Sequence, residues 1–142
     1  MKTLEQLAQE RILVLDGAMG TMIQKLGLTE EDFHPKGMED HKILLKGNNE
    51  LLSLSRPDAI RTIHEQYLAA GADIVETNTF SATSIAQAEH ECSHLAREMN
   101  LASVRLAKEA CAKYTAMDPS RPRFVAGAIG PMNKTASLSP DV

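Results

Sequence analysis

The sequence predicts an α/β fold built around a parallel sheet. Three observations carry that expectation. Apolar runs at residues 12–15, 72–80 and 124–129 read as strands. Segments with helical periodicity separate them, and strand–helix–strand–helix–strand is the order of right-handed βαβ crossovers. Each apolar run ends at glycines or polar residues, where a parallel sheet places its loops.

Taken in order, the chain opens with Thr3 and, three residues later, Gln6. That pair fits a capping box for a short helix with Leu4, Leu7 and Ala8 on one face. Ile12-Leu13-Val14-Leu15 follows and stops at Asp16-Gly17-Ala18-Met19-Gly20. Four consecutive branched residues suggest a strand buried on both faces. Residues 25–49 have no sustained period and are broken by Gly27, Pro35, Gly37 and Gly47; a loop of this length in a compact domain is usually functional.

A helix is expected from about Arg56, with Ser55 and Asp58 as its cap and Pro57 in the first turn. Ile60, Ile63, Tyr67 and Ala70 share its apolar face, and Gly71 is placed to end it in a left-handed conformation. The residues of 72–80 favour a strand. Ser84 and Gln87 offer another capping box. From about 93 to 116, Leu95, Met99, Ala102, Leu106, Ala110 and Tyr114 lie on one side of a long helix, which Asp118, Pro119 and Pro122 stop. The third strand, 124–129, ends at Gly130-Pro131, and no helix signal follows it. The expectation is therefore a piece of a longer protein.

Composition narrows the function classes. The 142 residues are 43% hydrophobic and 24% charged, with 15 basic and 19 acidic residues and a net charge of −4. These values describe one ordinary globular domain. They supply no basic stripe for a nucleic-acid backbone. Aromatic residues make up 4% and Trp is absent, which disfavours base stacking. No apolar run reaches the roughly 18–20 residues that span a bilayer, and the N-terminus lacks the apolar core of a secretory signal. Two cysteines make no disulfide framework, so a cytoplasmic location is expected.

The polar residues gather where the apolar runs end. Asp16 ends the first, Glu76, Thr77, Asn78 and Thr79 the second, and Gly130, Pro131 and Asn133 the third. Together they predict one shared ligand rim. The Asp16–Thr21 turn is neither a dinucleotide fingerprint nor a phosphate loop. Its glycines still let backbone N–H groups approach an anion such as a carboxylate, and Asp16 beside them suits an ammonium. An amino acid carries both charges. Cys92 and Cys111 are 19 positions apart, roughly 100° around any helix joining them, and read as packing residues. His90 and His94 have i,i+4 spacing, but the intervening residues match no zinc motif, and a solvated face is expected.

Four motifs in register resemble the homocysteine-binding barrel of the cobalamin-dependent methionine synthases. They are Leu15-Asp16-Gly17-Ala18-Met19-Gly20-Thr21-Met22-Ile23-Gln24, Lys46-Gly47-Asn48-Asn49-Glu50-Leu51-Leu52, Gly71-Ala72-Asp73-Ile74-Val75-Glu76-Thr77-Asn78-Thr79-Phe80, and the run from Gly130 to Val142. Betaine- and S-methylmethionine-dependent homocysteine methyltransferases share the Asp-Gly turn. The long Gly-Asn-Asn loop and the Thr-Ala-Ser-x-Ser-Pro-Asp run of residues 135–141 look more like the cobalamin enzymes.

The resemblance implies that residues 1–142 are the N-terminal portion, about three βα units, of a (β/α)8 TIM barrel. It implies homocysteine as substrate, held at Asp16, Gly17, Ala18, Met19, Glu76, Asn78 and Thr79. It also implies zinc, cobalamin and methyltetrahydrofolate in the full-length protein. In that family three cysteines of later strands bind the zinc, and neither Cys92 nor Cys111 lies in a matching motif. The 142 residues are therefore expected to carry no catalytic or metal-binding residue, to hold no cofactor alone and to be inactive alone. A non-catalytic amino-acid-binding module is the alternative of another class.

Overall fold

The computed structural model describes residues 2–134. Its first element, α1 (Leu4–Glu10), begins with the expected capping box: Thr3 Oγ1 accepts from Gln6 N–H, and Gln6 Oε1 accepts from Thr3 N–H. Leu7 is its one buried residue, and Ala8 is exposed.

The expected strand at 12–15 is reduced to a single parallel bridge from Leu15 to Ile74. Asp16 N–H donates to Ile74 O and Asp73 N–H donates to Val14 O, so the segment runs beside the sheet without forming a ladder. Its side chains are not buried on both faces either. Ile12 is 89% exposed, and Val14 and Leu15 are exposed as well. Among the described residues no element covers that edge. An apolar run specifies strand character, but a buried strand needs neighbours on both faces.

The Asp16–Gly20 turn leads into α2 (Met19–Gln24), whose Ile23 enters the core. Residues 25–49 are irregular but organised. Glu30 accepts from Leu45 N–H at 2.6 Å and Lys46 N–H at 2.9 Å, and contacts His34 Nε2 at 2.9 Å. One carboxylate thus ties both ends of the segment, while Phe33 and Leu45 anchor it in the core.

A short helix α3 (Leu52–Ser55) precedes α4 (Pro57–Ala70). Pro57 occupies the first turn as expected. Ser55 is not the cap: its hydroxyl donates to Leu51 O and closes α3, while Arg56 takes the cap position. The buried face of α4 is Ala59, Ile60, Ile63, His64 and Leu68; Ala70 is exposed. Gly71 ends the helix at φ +111°, the left-handed conformation that favours glycine.

Strand β1 (Ile74–Glu76) pairs in parallel with β2 (Phe124–Ala126), in the register Ile74–Phe124, Val75–Val125, Glu76–Ala126. Both are shorter than the expected 72–80 and 124–129. Two strands and one bridge therefore stand among the described residues where three strands were expected.

Between the strands, α5 (Ser84–Gln87) is capped by Thr83, which accepts from Ala86 N–H, rather than by Ser84. The long helix α6 (Ala96–Met117) buries Met99, Ala102, Ser103, Leu106, Ala107, Ala110 and Cys111 against α4 and the sheet. Its three-and-four spacing is the one the sequence shows. The main core joins Ile23, Leu51, Leu52, Ile60, Ile63, Met99 and Leu106; a smaller one joins Leu68, Val75, Ala107, Ala110 and Cys111. Each fully buried Leu or Ile contributes about 1.5–3 kcal/mol.

Candidate ligand site at the strand ends

Beyond the carboxyl ends of the two strands lies a cavity of about 660 Å³. All seven residues singled out in the sequence line it: Asp16, Gly17, Ala18, Met19, Glu76, Asn78 and Thr79. The tip beyond β2 contributes Ala128. Gly130, Pro131 and Asn133 do not reach this cavity. Pro131 and Asn133 line a neighbouring one of about 180 Å³, and Asn133 Nδ2 donates to Glu89 Oε1. Gly130 packs against Phe80: its N–H pairs with Phe80 O at 2.9 Å, and a Cβ at Gly130 would strike Phe80.

The Asp16 turn is held from two sides. Asp16 Oδ2 accepts from Glu76 N–H at 3.1 Å, and Tyr67 Oη donates to Ala18 O at 3.2 Å. A Cβ at Gly17 would lie 3.1–3.4 Å from the Tyr67 ring and hydroxyl, so the turn packs closely only because Gly17 has none. Burial pushes Asp16 up to about 6, opposed by the Glu76 N–H and reinforced by the Glu76 charge. Its Oδ1 is buried and unpaired.

Asn78 and Thr79 are committed to the scaffold. Asn78 Nδ2 donates to Asn49 O at 2.7 Å and contacts Ser53 Oγ at 3.3 Å. The Ser103 hydroxyl bridges Ser53 Oγ and Asn78 O. Thr79 Oγ1 donates to Ala128 O, so the Thr77 hydroxyl must donate to Thr79, and Thr77 in turn accepts from Ala128 N–H. This closed ring stitches the two strand ends together. They line the cavity, and their polar groups position its wall.

Sequence reasoning missed the far wall. Gly47, Asn49 and Glu50 line the same cavity. The buried amides of Asn48 and Gln87 pair head to tail at 2.7 and 3.0 Å, and Gln87 Nε2 also donates to Ser81 O. Glu50 Oε1 accepts from Ser81 N–H at 2.9 Å. The segment carrying Gly47 is thereby strapped across the strand end. The two adjacent asparagines after a glycine were the available signal.

Neither cysteine belongs to the site. Cys92 Sγ donates to His90 O and Cys111 Sγ to Phe124 O. Burial raises both thiols, Cys111 to about 11, which keeps them protonated and weak as metal ligands. His90 and His94 fall in separate 3-10 turns, divided by Glu91 at φ +54°. No cluster of three or more His, Cys, Asp or Glu able to hold a metal ion occurs among the described residues. No helix among them is long and apolar enough to cross a membrane.

Parallel strands with a polar cavity beyond their carboxyl ends are the arrangement in which α/β folds place their ligand sites. The homocysteine S-methyltransferase family model matches residues 13–142, and the chain belongs to that family. Solved structures agree. The metallated form of the homocysteine methyltransferase MmuM from Escherichia coli aligns with a TM-score of 0.67 at 27% identity, over 90% of this chain and 41% of that one. The oxidized form gives 0.68 at 28% identity over 90% and 40%. The apo form gives 0.61 at 26% identity over 92% and 40%. The chain thus spans about two fifths of the length of the proteins it matches.

Proposed function

We propose that this chain supplies the amino-acid-binding side of the active site of a homocysteine S-methyltransferase and is the first part of its barrel. The observation that carries the reading is the convergence of the Asp16 turn and both strand tips on one cavity. Among the described residues three carboxylates line that cavity, Asp16, Glu50 and Glu76, and no Lys, Arg or His does. Such a lining favours a ligand with a cationic group. The Gly17 and Ala18 N–H groups donate no hydrogen bond within the described structure and are free to meet the ligand's carboxylate. Asp16 takes the ammonium in its ionised form.

Family membership implies zinc, which would make the substrate thiol a better nucleophile. The described residues do not fit it, since they offer no three-ligand cluster and the two thiols are buried and apart. We assign the metal's ligands to other parts of the protein and derive no step through it. The role of the described residues is to bind and orient the amino-acid end so that the sulfur reaches the methyl donor.

Among methyl donors, we favour methylcobalamin recharged from methyltetrahydrofolate, because the segment that brings Gly47, Asn49 and Glu50 to the cavity wall resembles the corresponding loop of the cobalamin enzymes. The second reading is a family member with another donor, such as betaine or S-methylmethionine, which the Asp16-Gly17 turn fits as well. Calorimetry with homocysteine and with 4-mercaptobutyrate, which lacks the amino group, tests the site: homocysteine is expected to bind and the analogue to bind at least tenfold more weakly. Equal binding, or none, refutes it. Turnover of the full natural protein with each donor in turn decides between the two donor readings.

A further inference from the structure

We infer that Glu50 is a second receptor for the ligand's ammonium group, acting with Asp16 in the same cavity. This rests on the reading that the cavity takes an amino acid. Glu50 is only 7% exposed, yet it lies on the cavity wall. Its Oε1 is fixed by Ser81 N–H at 2.9 Å, and no donor among the described residues is bonded to Oε2. No cationic side chain among them pairs with it, although Asp32, Asp58 and Asp73 each have an arginine partner.

Glu50 thus presents a carboxylate oxygen with no donor and no countercharge among the described residues at the cavity wall. The fold itself asks only for an acceptor at Oε1, which a neutral amide supplies equally well. The negative charge therefore serves something that enters the cavity. Ser81 is gripped at its carbonyl by Gln87, and Gln87 is paired with Asn48, so the carboxylate is held in place before the ligand arrives. An ammonium has three N–H donors and can be shared between two carboxylates. The ligand class that follows is an α-amino acid with a free amino group; deaminated and N-acylated analogues bind more weakly.

Glu50→Gln keeps the acceptor for Ser81 and removes the charge. In the full natural chain, calorimetry is expected to show homocysteine binding weakened at least tenfold, with 4-mercaptobutyrate binding and the thermal melt unchanged. Glu50→Asp keeps the charge on a shorter arm and is expected to retain more selectivity for the amino-bearing ligand than Glu50→Gln. Wild-type affinity for homocysteine in Glu50→Gln overturns the inference and leaves the site assignment standing. Equal weakening of both ligands with a lowered melt, or no gain in selectivity for Glu50→Asp, shows a structural role and also overturns it. Failure of the wild-type chain to bind homocysteine removes the site assignment and this inference together.

Discussion

At the scale of single residues, the Asp16 turn concentrates the consequences. Tyr67 packs against Gly17 so closely that an added methyl group must displace the ring. Gly17→Ala is expected to lower stability by about 1 kcal/mol and to weaken homocysteine binding, read from urea unfolding and calorimetry. Asp16 makes a pH prediction. Its folded value, about 6, lies above the ordinary 3.8, because burial disfavours the charged form. Between those values the folded state holds a proton that the unfolded chain has lost. The stability this contributes is full below the ordinary carboxylate range and lost as pH rises through about 6. Asp16→Asn should therefore unfold at higher denaturant than wild type at pH 8. The gain is on the order of 1 kcal/mol after allowing for solvent screening of a partly exposed group. Homocysteine binding to the wild-type chain should strengthen over the same rise in pH. A site whose affinity does not change between pH 5 and 7 does not use Asp16 as its anion.

At the scale of elements, two polar clamps hold the cavity's frame. Beneath the sheet, fully buried Asp73 accepts from Arg11 at 2.7 and 2.8 Å, from Arg121 at 3.2 Å and from Val14 N–H at 3.0 Å. The Arg11 hydrogen bonds hold its carboxyl well below the usual carboxylate range, with burial opposing. Its stabilising effect is thus complete above the ordinary carboxylate value and lost as pH falls below it. Asp73→Asn is expected to cost about 3 kcal/mol and to flatten the acid limb of an unfolding profile. Above the sheet, the Asn48–Gln87 pair fastens the strap. Gln87→Ala leaves a buried amide without a partner. It should cost about 2 kcal/mol and weaken homocysteine binding, and a double-mutant cycle with Asn48→Ala checks that the two losses are shared. Both clamps were invisible in the sequence, because their partners lie 39 to 62 positions apart. The helices were legible: the three-and-four spacing of Met99, Ala102, Leu106 and Ala110 names the buried stripe of α6 without reference to anything beyond the helix.

At the scale of the whole molecule, the apolar flank of the sheet is open. Ile12 and Ile129 are each 89% exposed, with Val14 and Leu15 beside Ile12. Exposed strand-like segments of this kind pair with other chains. The 142-residue chain is expected to bind a hydrophobic dye and to self-associate with rising concentration. Light scattering that reports a monomer across the micromolar range would count against it.

What the sequence by itself determined is what depends on near neighbours. The α/β class, the α1 capping box, the left-handed Gly71 and the gathering of polar residues at strand ends are all local or periodic signals. Only the tertiary structure decided which polar groups face the cavity and which are consumed in holding it. Asn78 and Thr79 look in the sequence like ligand groups, yet their hydrogen bonds end on Asn49 and Ala128. Glu50 carries no site expectation in the sequence, yet it is buried on the cavity wall. The same cause undid the expected first strand. A run of branched residues states a preference for extended backbone, whereas burial and pairing are set by the elements around it, and those come from far along the chain.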